Sequence, residues 1–484
     1  MLALLLVGGC AVGPDFTRPA PPKADSYTAH PLTTTSSTTN LAAGTAQRFV
    51  EGLDIPGEWW EQFHSKQLNA LIERSLTNNP DLKAAQASLV MARENVLAHR
   101  GIYYPSIAAG FGASRHRTPN LLSPFVTQST PEGSSFYSFY TPQLTVSYSP
   151  DVFGLNRRTG EALKAQQQAV RYAEAATYIT LTANVAGAAI QEASLRAQIE
   201  ATHQLVEISS NMLEIVQYQY EKGAASMLDV RGQEAQLAQV TATLPPLRRQ
   251  LAQQRDLLAV LAGVLPTQEP EERFELSGLE LPEQVPVSLP SKLVEHRPDV
   301  RQAEENLHSA CAQIGVAIAN RLPNVTLTAD AGSIATGVGA LFTPDSMFWD
   351  LGAGLTQPIF QGGTLLHQER AARAAFVQAA EQYRSTVLTA FQNVADTLNA
   401  LEEDANGLKA AAATEEASKA AQQLTEQQLN FGLVAYAALL SAQQTYQQAL
   451  INLAQAQANR YADTVALFQA LGGGWWHRAE FSKD

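Results

Sequence analysis

The chain has 484 residues, of which 45% are hydrophobic, and alanine supplies much of that apolar content. Such a composition favours long helices packed through small side chains over several large compact cores. The formal net charge of −13 argues against nucleic acid as a partner, because a phosphate backbone requires a basic surface. No apolar run reaches the roughly 18 residues of a spanning helix, so a membrane would have to be crossed by strands.

Cys10 ends a short run of apolar and small residues, positions 4–9, that is typical of a secretory signal and its cleavage site. The run resembles a bacterial lipobox, which implies cleavage before Cys10 and lipid on its thiol and new amino terminus. No Lys or Arg precedes the run, so the pattern leaves open a start codon further upstream. An ordinary buried thiol is the alternative for Cys10, and we interpret Cys311 as a small core residue.

Residues 11–56 are rich in Pro, Thr and Ser without a sustained period, which predicts an extended leader on the surface. From Glu58 onwards, apolar side chains recur at helical intervals. They are Trp59, Trp60, Phe63, Leu68, Leu71, Ile72 and Leu76. A second amphipathic stretch from Pro80 to Arg100 predicts another helix.

The chain then repeats itself, which predicts two copies of one large unit. Asn79-Pro80-Asp81-Leu82 returns as Arg297-Pro298-Asp299-Val300 at an offset of 218 positions. The offset is 207 for Phe153 and Phe360, at the end of the predicted strands, so we expect a longer loop between the strands of the first copy. Each copy predicts a helix, two strands, a long helix, a glycine-centred turn and a returning helix.

Four short segments alternate apolar and polar side chains, as half-buried strands do. They are residues 106–113, 136–152, 324–331 and 347–357. The alternation fits a sheet with lipid on one face and water on the other, and a soluble amphipathic sheet gives the same alternation. Four strands cannot close on themselves and open edges are not tolerated in hydrocarbon, whereas three identical chains would supply 12 strands without an edge.

The predicted long helices also require partners. The run from Leu155 to Lys222 would extend roughly 100 Å at about 1.5 Å per residue, and a single chain cannot bury such a helix on both flanks. In a ring, the helices of three chains bury their apolar seams and leave polar residues facing water. We therefore predict a mainly α chain with a small transmembrane β part and two structural repeats, assembled as a trimeric 12-stranded β-barrel continuous with a long α-helical barrel.

From Cys10 to Gly474 the sequence resembles the TolC-like outer membrane factors, in particular the lipoprotein branch that serves resistance-nodulation-division (RND) efflux pumps. The resemblance rests on motifs that occur in the same order across both repeats. They are Val12-Gly13-Pro14-Asp15-Phe16-Thr17-Arg18-Pro19, Trp59-Trp60 with Phe63, Leu289-Pro290-Ser291, Arg297-Pro298-Asp299, Ile314-Gly315, Pro358-Ile359-Phe360 with Gly362-Gly363, and Phe431-Gly432-Leu433-Val434.

The resemblance implies a homotrimer in contact with outer-membrane lipid, anchored in and spanning the outer membrane and extending into the periplasm. It implies a passive exit duct that carries small molecules to the exterior from an inner-membrane pump, of RND type, and a periplasmic membrane-fusion adaptor. It also divides the chain into six segments. They are a signal peptide (1–9), a lipidated leader (10–57), the first repeat (58–264), a Pro-rich connector at the equatorial belt (265–290), the second repeat (291–474) and a C-terminal tail (475–484).

The two glycine turns correspond, by the same resemblance, to the periplasmic tip where the adaptor docks. The predicted docking residues are Gly223, Ala224, Ala225, Ser226, Gly432, Leu433, Val434 and Ala435. Asp229 matches an acidic position that closes the tip, and a plain solvated acid is the alternative. In the second repeat Ala438 occupies the equivalent position, and Gln444 stands where an arginine is often found. We therefore predict a gate with fewer charges and ion pairs than is usual.

We predict no catalytic, cofactor-binding or metal-binding residues. The nine histidines are scattered, without an HxxxH pair or a Cys/His spacing suited to zinc, and no GxSxG elbow is present. Two other classes compete with the duct: a coiled-coil adaptor or scaffold, which should lack the four strands, and a lipid-anchored hydrolase, for which we find no candidate residue. Trp475-Trp476 fits an interfacial anchor or simple tail packing equally well.

Overall fold

The computed structural model describes residues 11–29, 32–39, 41–119 and 134–481, so Cys10 lies outside the described residues. Two units can be distinguished. The first comprises residues 1–18, 90–169 and 304–382, and the second comprises residues 19–89, 170–303 and 383–484. In the part of the chain that the structure describes, no helix is both long enough and apolar enough to cross a bilayer.

The elements of the first half begin with a short strand of the leader. They are β1 (Arg48–Glu51), α1 (Lys66–Asn78), α2 (Pro80–Arg100), β2 (Ser106–Pro119), β3 (Ser134–Tyr148), α3 (Leu155–Glu221), α4 (Met227–Ala242) and α5 (Leu244–Leu261). The second half contains β4 (Gln284–Val287), α6 (Pro290–His296), α7 (Pro298–Ala319), β5 (Asn324–Ser333), β6 (Met347–Thr356), α8 (Thr364–Asn430) and α9 (Tyr436–Ala470). Helix, two strands, long helix and returning helix occur twice in this order, which confirms the mainly α, two-repeat fold.

The long helices α3 and α8 have 67 residues each, but their returning partners differ. In the second repeat α9 is one helix of 35 residues. In the first repeat the return is broken at Thr243 into α4 and α5, because Pro245 and Pro246 supply no backbone N–H to the preceding turn. The single returning helix predicted for the first repeat is therefore corrected to two.

The strands β2, β3, β5 and β6 form one antiparallel sheet in that order. The first pair has 14 and 15 residues, whereas β5 and β6 have 10 each. The strands themselves thus supply most of the extra length of the first copy. The connection between β2 and β3, residues 120–133, lies outside the described residues, so the longer loop stays a prediction. A strand needs only continued alternation to lengthen, and Arg115 and Arg117 carry β2 beyond its apolar part.

The leader is not simply a surface segment. Its residues Arg48 to Glu51 pair in parallel with Gln284 to Val287 of the connector, a two-stranded sheet that the sequence did not predict. Gln47 is fully buried and Ile55 is 1% exposed. The leader is therefore part of the core of the second unit.

An aromatic cluster forms the centre of that core. Trp59, Trp60 and Phe63 are buried, and the Trp59 ring stacks on Phe468 at a centroid distance of 5.3 Å. The C-terminal tail joins the same unit: Trp475 Nε1 donates to the carbonyl oxygen of His296 at 2.7 Å, and the Trp476 ring stacks on the His296 ring. Tail packing, one of the two predicted alternatives, describes both tryptophans.

Candidate functional site

The four-stranded sheet of the first unit presents a face of exposed apolar side chains. Their exposed fractions are 72% for Ile107, 76% for Trp349, 73% for Leu351 and 70% for Leu355. Alternation along the strands places small and polar residues on the opposite face. An exposed apolar face of this extent indicates a partner or a lipid phase, because water disfavours it.

The polar face carries a pair of acids. Asp330 on β5 lies directly opposite Asp350 on β6, and the Thr145 hydroxyl of β3 donates to Asp330 Oδ1 at 2.5 Å. Like charges directly opposite each other destabilise a sheet unless water screens them. The two faces thus suit different environments, lipid on one side and water on the other.

The start of the leader is held in the first unit by one buried guanidinium. Arg158, near the start of α3, donates to the carbonyl oxygens of Val12 (3.0 Å) and Gly13 (3.3 Å) and to the Asp15 carboxylate (2.8 Å). Glu161 accepts from the same guanidinium at 2.8 Å. Because two carbonyl oxygens and one carboxylate of the leader converge on Arg158, the leader has one fixed position here.

Two of the sequence motifs that carry the family resemblance meet beside this anchor, because Gly13 lies in close backbone contact with Gly315 of α7. The Phe16 ring stacks on His308 of α7 at a centroid distance of 4.3 Å. Cys311 is buried in the same place, its Sγ 3.8 Å from the carbonyl oxygen of Pro14, as expected for a small core residue. Ala11 lies against Gly154, and Val12 N donates to the Phe153 carbonyl at 3.1 Å. The chain that follows Cys10 therefore begins beside the junction of β3 and α3.

The first glycine turn, in the second unit, ends α3 and starts α4. Gly223 has a φ of +76°, and Ala224 N donates to the Gln219 carbonyl at 2.8 Å, the 6→1 bond of a Schellman turn. Ser226 then caps α4: its Oγ accepts from Asp229 N at 3.3 Å, and its own N–H donates to Asp229 Oδ2 at 2.9 Å. The Ser226 hydroxyl, and then its N–H, hold the pKa of Asp229 below its usual value. Asp229 thus completes a capping box at the start of α4.

The second glycine turn has the same backbone without the cap. Gly432 has a φ of +71°, and Leu433 N donates to the Gln428 carbonyl at 2.9 Å. The N-cap of α9 is Ala435, which has no side-chain hydrogen bond to offer. Gln444 donates to Gln236 of α4 at 3.0 Å, a neutral bond at the position where the resemblance implies an arginine. The two turns therefore share their backbone conformation and differ in the hydrogen bonds of their side chains.

The helices near the turns share a small core. Its buried members are Met212 and Val216 of α3, Val230 of α4, and Tyr436 and Leu439 of α9. The Tyr436 hydroxyl donates to Gln219 Oε1 at 2.9 Å. This core joins the two repeats, and no sequence pattern predicts it because its members come from three separate segments.

The predicted docking residues lie at these turns, and most of them are exposed, with Ala225 and Val434 half-buried. The most exposed apolar side chains beside them are Leu228 and Phe431, each 80% exposed, and Leu433, 72% exposed. Leu228 was not predicted, although a leucine directly before an acid in a polar turn is a usable signal. Leu228 after the first turn, and Phe431 with Leu433 at the second turn, form two apolar patches that no residue of the described chain covers.

The family model described as "Outer membrane efflux protein" matches residues 71–264 and 289–473. The chain is 30% identical over 477 residues to the probable efflux pump outer membrane protein TtgC of Pseudomonas putida, covering 98% of this chain and 94% of that protein. It is likewise 30% identical to the pyoverdine export outer membrane protein OpmQ of Pseudomonas aeruginosa, covering 98% and 96%.

Among solved structures, the open state of the MtrE outer membrane channel of Neisseria gonorrhoeae matches with a TM-score of 0.80 and 26% identity, over 96% of this chain and 99% of that one. The family model covers both repeats, from α1 to the end of α5 and from the start of α6 to the end of α9. The chain therefore belongs to the outer membrane efflux protein family.

Proposed function

We propose that three copies of this chain form a passive exit duct of a tripartite efflux system. As a member of its family the chain is a channel of the outer membrane with a transport role. The observation that carries the trimeric duct is the four-stranded sheet, which has an exposed apolar face and, within the described residues, an unpaired outer edge on both β2 and β6. Hydrocarbon does not tolerate unpaired strand edges, so β6 of one copy should pair with β2 of the next.

Three copies would close the sheet with twelve strands, each apolar face toward lipid and each polar face toward water. The Asp330 and Asp350 pair of each copy would then face the aqueous passage. A passage lined by small polar residues makes no precise pocket, so selection of the compound belongs to the inner-membrane pump.

The partners follow from the turns. We infer that a periplasmic membrane-fusion adaptor docks on the predicted turn residues, with Leu228, Phe431 and Leu433 as its apolar contacts. Exposed apolar side chains at two tight turns support this, because a partner that covers them removes them from water. An inner-membrane pump of RND type supplies the energy.

The lipid anchor rests on the leader. We infer that Cys10 carries lipid, since the chain directly after it is fixed by Arg158 at the junction of β3 and α3. A terminus held at the junction of β3 and α3 would place acyl chains on Cys10 close to the membrane that the strands enter. Asp229 remains the proposed gate acid, and its capping box holds the carboxylate at the first turn of α4.

Recording in planar bilayers tests the duct. Native mass spectrometry of the full-length protein, extracted in detergent, should show a trimer. After incorporation into the bilayer, the protein should give discrete conductance steps. Monomers that give no conductance would support the competing class, a lipid-anchored scaffold without a pore. A substitution near the middle of the proposed lipid face of β6, Leu351→Arg, should weaken stable insertion while leaving the second unit folded, because a charge far from the strand ends is costly there.

A further inference from the structure

Two carboxyl groups face each other between α8 and α9 in the second unit. The side chains of Asp404 of α8 and Asp463 of α9 lie within hydrogen-bonding reach of each other. A carboxylate only accepts hydrogen bonds, so a bond between two of them requires that one carries a proton. Asp404 Oδ2 is buried, and no N–H or hydroxyl group of the described residues donates to it. The geometry therefore contains a place for one proton between the two side chains.

The guanidinium of Arg460, which lies beside the carboxyl pair, binds the leader and not the pair. Arg460 lies one helical turn before Asp463 and is fully buried. Its guanidinium donates to the leader: to the carbonyl oxygens of Ala43 at 2.5 Å and Thr45 at 3.1 Å, and to Thr35 Oγ1 at 3.2 Å. Arg460 attracts the Asp404 carboxylate through space but gives it no hydrogen bond. The carboxyl pair therefore has no bonded cation that would make a proton unnecessary.

The leader contacts both helices within two residues of the pair. Ser36 donates to Asn406 of α8 at 3.0 Å, and Gln47 donates to Thr464 of α9 at 3.1 Å. Residues 32–47 contain no Asp, Glu, Lys, Arg or His. On α8, the neighbouring Glu402 and Glu403 are exposed to solvent. The charged groups that act on the pair are thus its own two carboxyls and Arg460.

We propose that Asp404 and Asp463 form a proton-binding site that joins α8, α9 and leader residues 35–39 and 41–47. With one shared proton the pair is a neutral donor and a carboxylate acceptor, and the two helices are held together. When the proton leaves, two negative charges face each other and only Arg460 offsets them. Arg460 then turns from the leader carbonyls toward the carboxylates, so loss of the proton also loosens the leader.

The direction of the pH response follows from burial. Burial, followed by the bond to Asp463 and its charge, raises the pKa of Asp404 to about 7, against the opposing attraction of Arg460. A pKa that is higher in the folded chain than in the unfolded chain stabilises the fold at low pH. That stabilisation is complete below the ordinary pKa of an aspartate and is lost as the pH rises toward 7.

Hydrogen–deuterium exchange of the full-length protein in detergent tests this site, with rates corrected for the intrinsic effect of pH. Between pH 5.5 and pH 8.5, corrected exchange of peptides covering 35–47, 400–408 and 459–467 should rise about tenfold in the native protein. Asp404→Asn supplies a permanent amide donor to Asp463, so its exchange should stay slow at both pH values. Asp463→Asn should behave in the same way.

Glu403→Gln is the matched control, because it removes the same charge from the adjacent, exposed position and should keep the native response. The proposal is overturned if the native peptides exchange equally at both pH values, or if either asparagine variant responds as the native protein does. Loss of the response in Glu403→Gln would also overturn it, since a general charge effect would then be the cause. The measurement does not involve conductance, so it fails or succeeds independently of the proposed duct.

Discussion

Gly13 and Gly315 lie in backbone contact: a Cβ added to Gly13 would lie 2.5 Å from the Cα of Gly315. A Cβ on Gly315 would in turn lie 2.8 Å from both the Val12 carbonyl oxygen and Arg158 Cγ. The leader and α7 approach each other this closely only because both positions lack a side chain. The contact explains why glycine stands in both motifs.

Gly315→Ala should therefore destabilise the first unit by about 1–3 kcal/mol, as overpacking does. Its matched control is Gly187→Ala in α3, where an added Cβ meets nothing within 4 Å. The control should stabilise its helix by roughly 0.5–1 kcal/mol, because alanine loses less backbone entropy than glycine. Thermal unfolding and protease cleavage of residues 11–18 would measure both effects. Equal stability of the two variants would contradict the close contact.

Tyr461 holds the middle of the leader to α9. Its hydroxyl accepts from Ala43 N at 3.1 Å and donates to the Leu279 carbonyl at 2.6 Å, and the ring is fully buried. Tyr461→Phe leaves a buried N–H and a carbonyl without this partner, which should cost about 1–3 kcal/mol. Tyr220→Phe, at an exposed position, should change the free energy of unfolding by less than about 0.5 kcal/mol. Denaturant titration of both variants provides the comparison.

The unequal caps of the two turns can be exchanged. Ser226→Ala should cost about 1 kcal/mol at the start of α4, whereas Ala435→Ser with Ala438→Asp should install the missing box on α9 and add a similar amount. Amide exchange in the first turns of α4 and α9 reports each change. If exchange in α9 stays as fast in the double variant as in the native chain, the missing side-chain bonds are not what distinguishes the turns.

The cap also has a pH dependence. The pKa of Asp229 is lowered by Ser226, so its stabilising effect is present above the ordinary pKa of an aspartate and is lost as the pH falls through the lowered value. Exchange at the start of α4 should thus increase only at strongly acidic pH, in the native chain but not in Asp229→Asn. This is opposite in direction to the response expected of Asp404 and Asp463.

Charge and capping at Asp229 are separable in channel recordings. Asp229→Asn removes the charge, and Ser226→Ala removes most of the cap while the charge stays. If Asp229 acts at the gate through its charge, Asp229→Asn should change ion selectivity and closure, and Ser226→Ala should leave selectivity unaltered. Unchanged conductance, selectivity and closure in Asp229→Asn would exclude the residue from the gate.

The lipid is tested by mass. Expressed with a complete signal peptide, the mature protein should begin at Cys10 and carry the mass of attached acyl chains, and Cys10→Ala should lack both the cleavage and the added mass. The attachment of residues 11–18 to Arg158 should persist in a Cys10→Ala chain with its signal removed by a protease site. An unmodified native terminus at Cys10 would contradict lipidation.

The sequence predicted what rests on periodic patterns. Alternation located the strands, as in Leu351 and Leu355 of β6, and Gly223 and Gly432 marked turns because both have positive φ. The sequence did not predict β1 and β4, because four residues are too few to show an alternating pattern and because proline, here Pro286, is unfavourable in a strand. The dipeptide Pro245-Pro246 is the sequence signal for the break between α4 and α5.

The partners of the buried charged side chains could not be predicted from the sequence, for a different reason. Arg158 and Arg460 each bind leader carbonyls, and a carbonyl has no sequence signature. Asp404 and Asp463 are 59 positions apart and become neighbours only because α8 and α9 lie side by side. Their proximity depends on the helical register, which the sequence alone does not determine.

The leader is made first and secured last. Ala43 is bound by Tyr461, a residue that lies 418 positions later in the chain, so the attachment cannot form until almost all of the polypeptide has been synthesised and exported. Contacts that distant in sequence form slowly, because a long loop must close before they contribute. A newly exported copy therefore passes through a stage in which the middle of its leader is not yet attached to α9. During that stage periplasmic proteases and chaperones can reach a segment that the finished molecule hides.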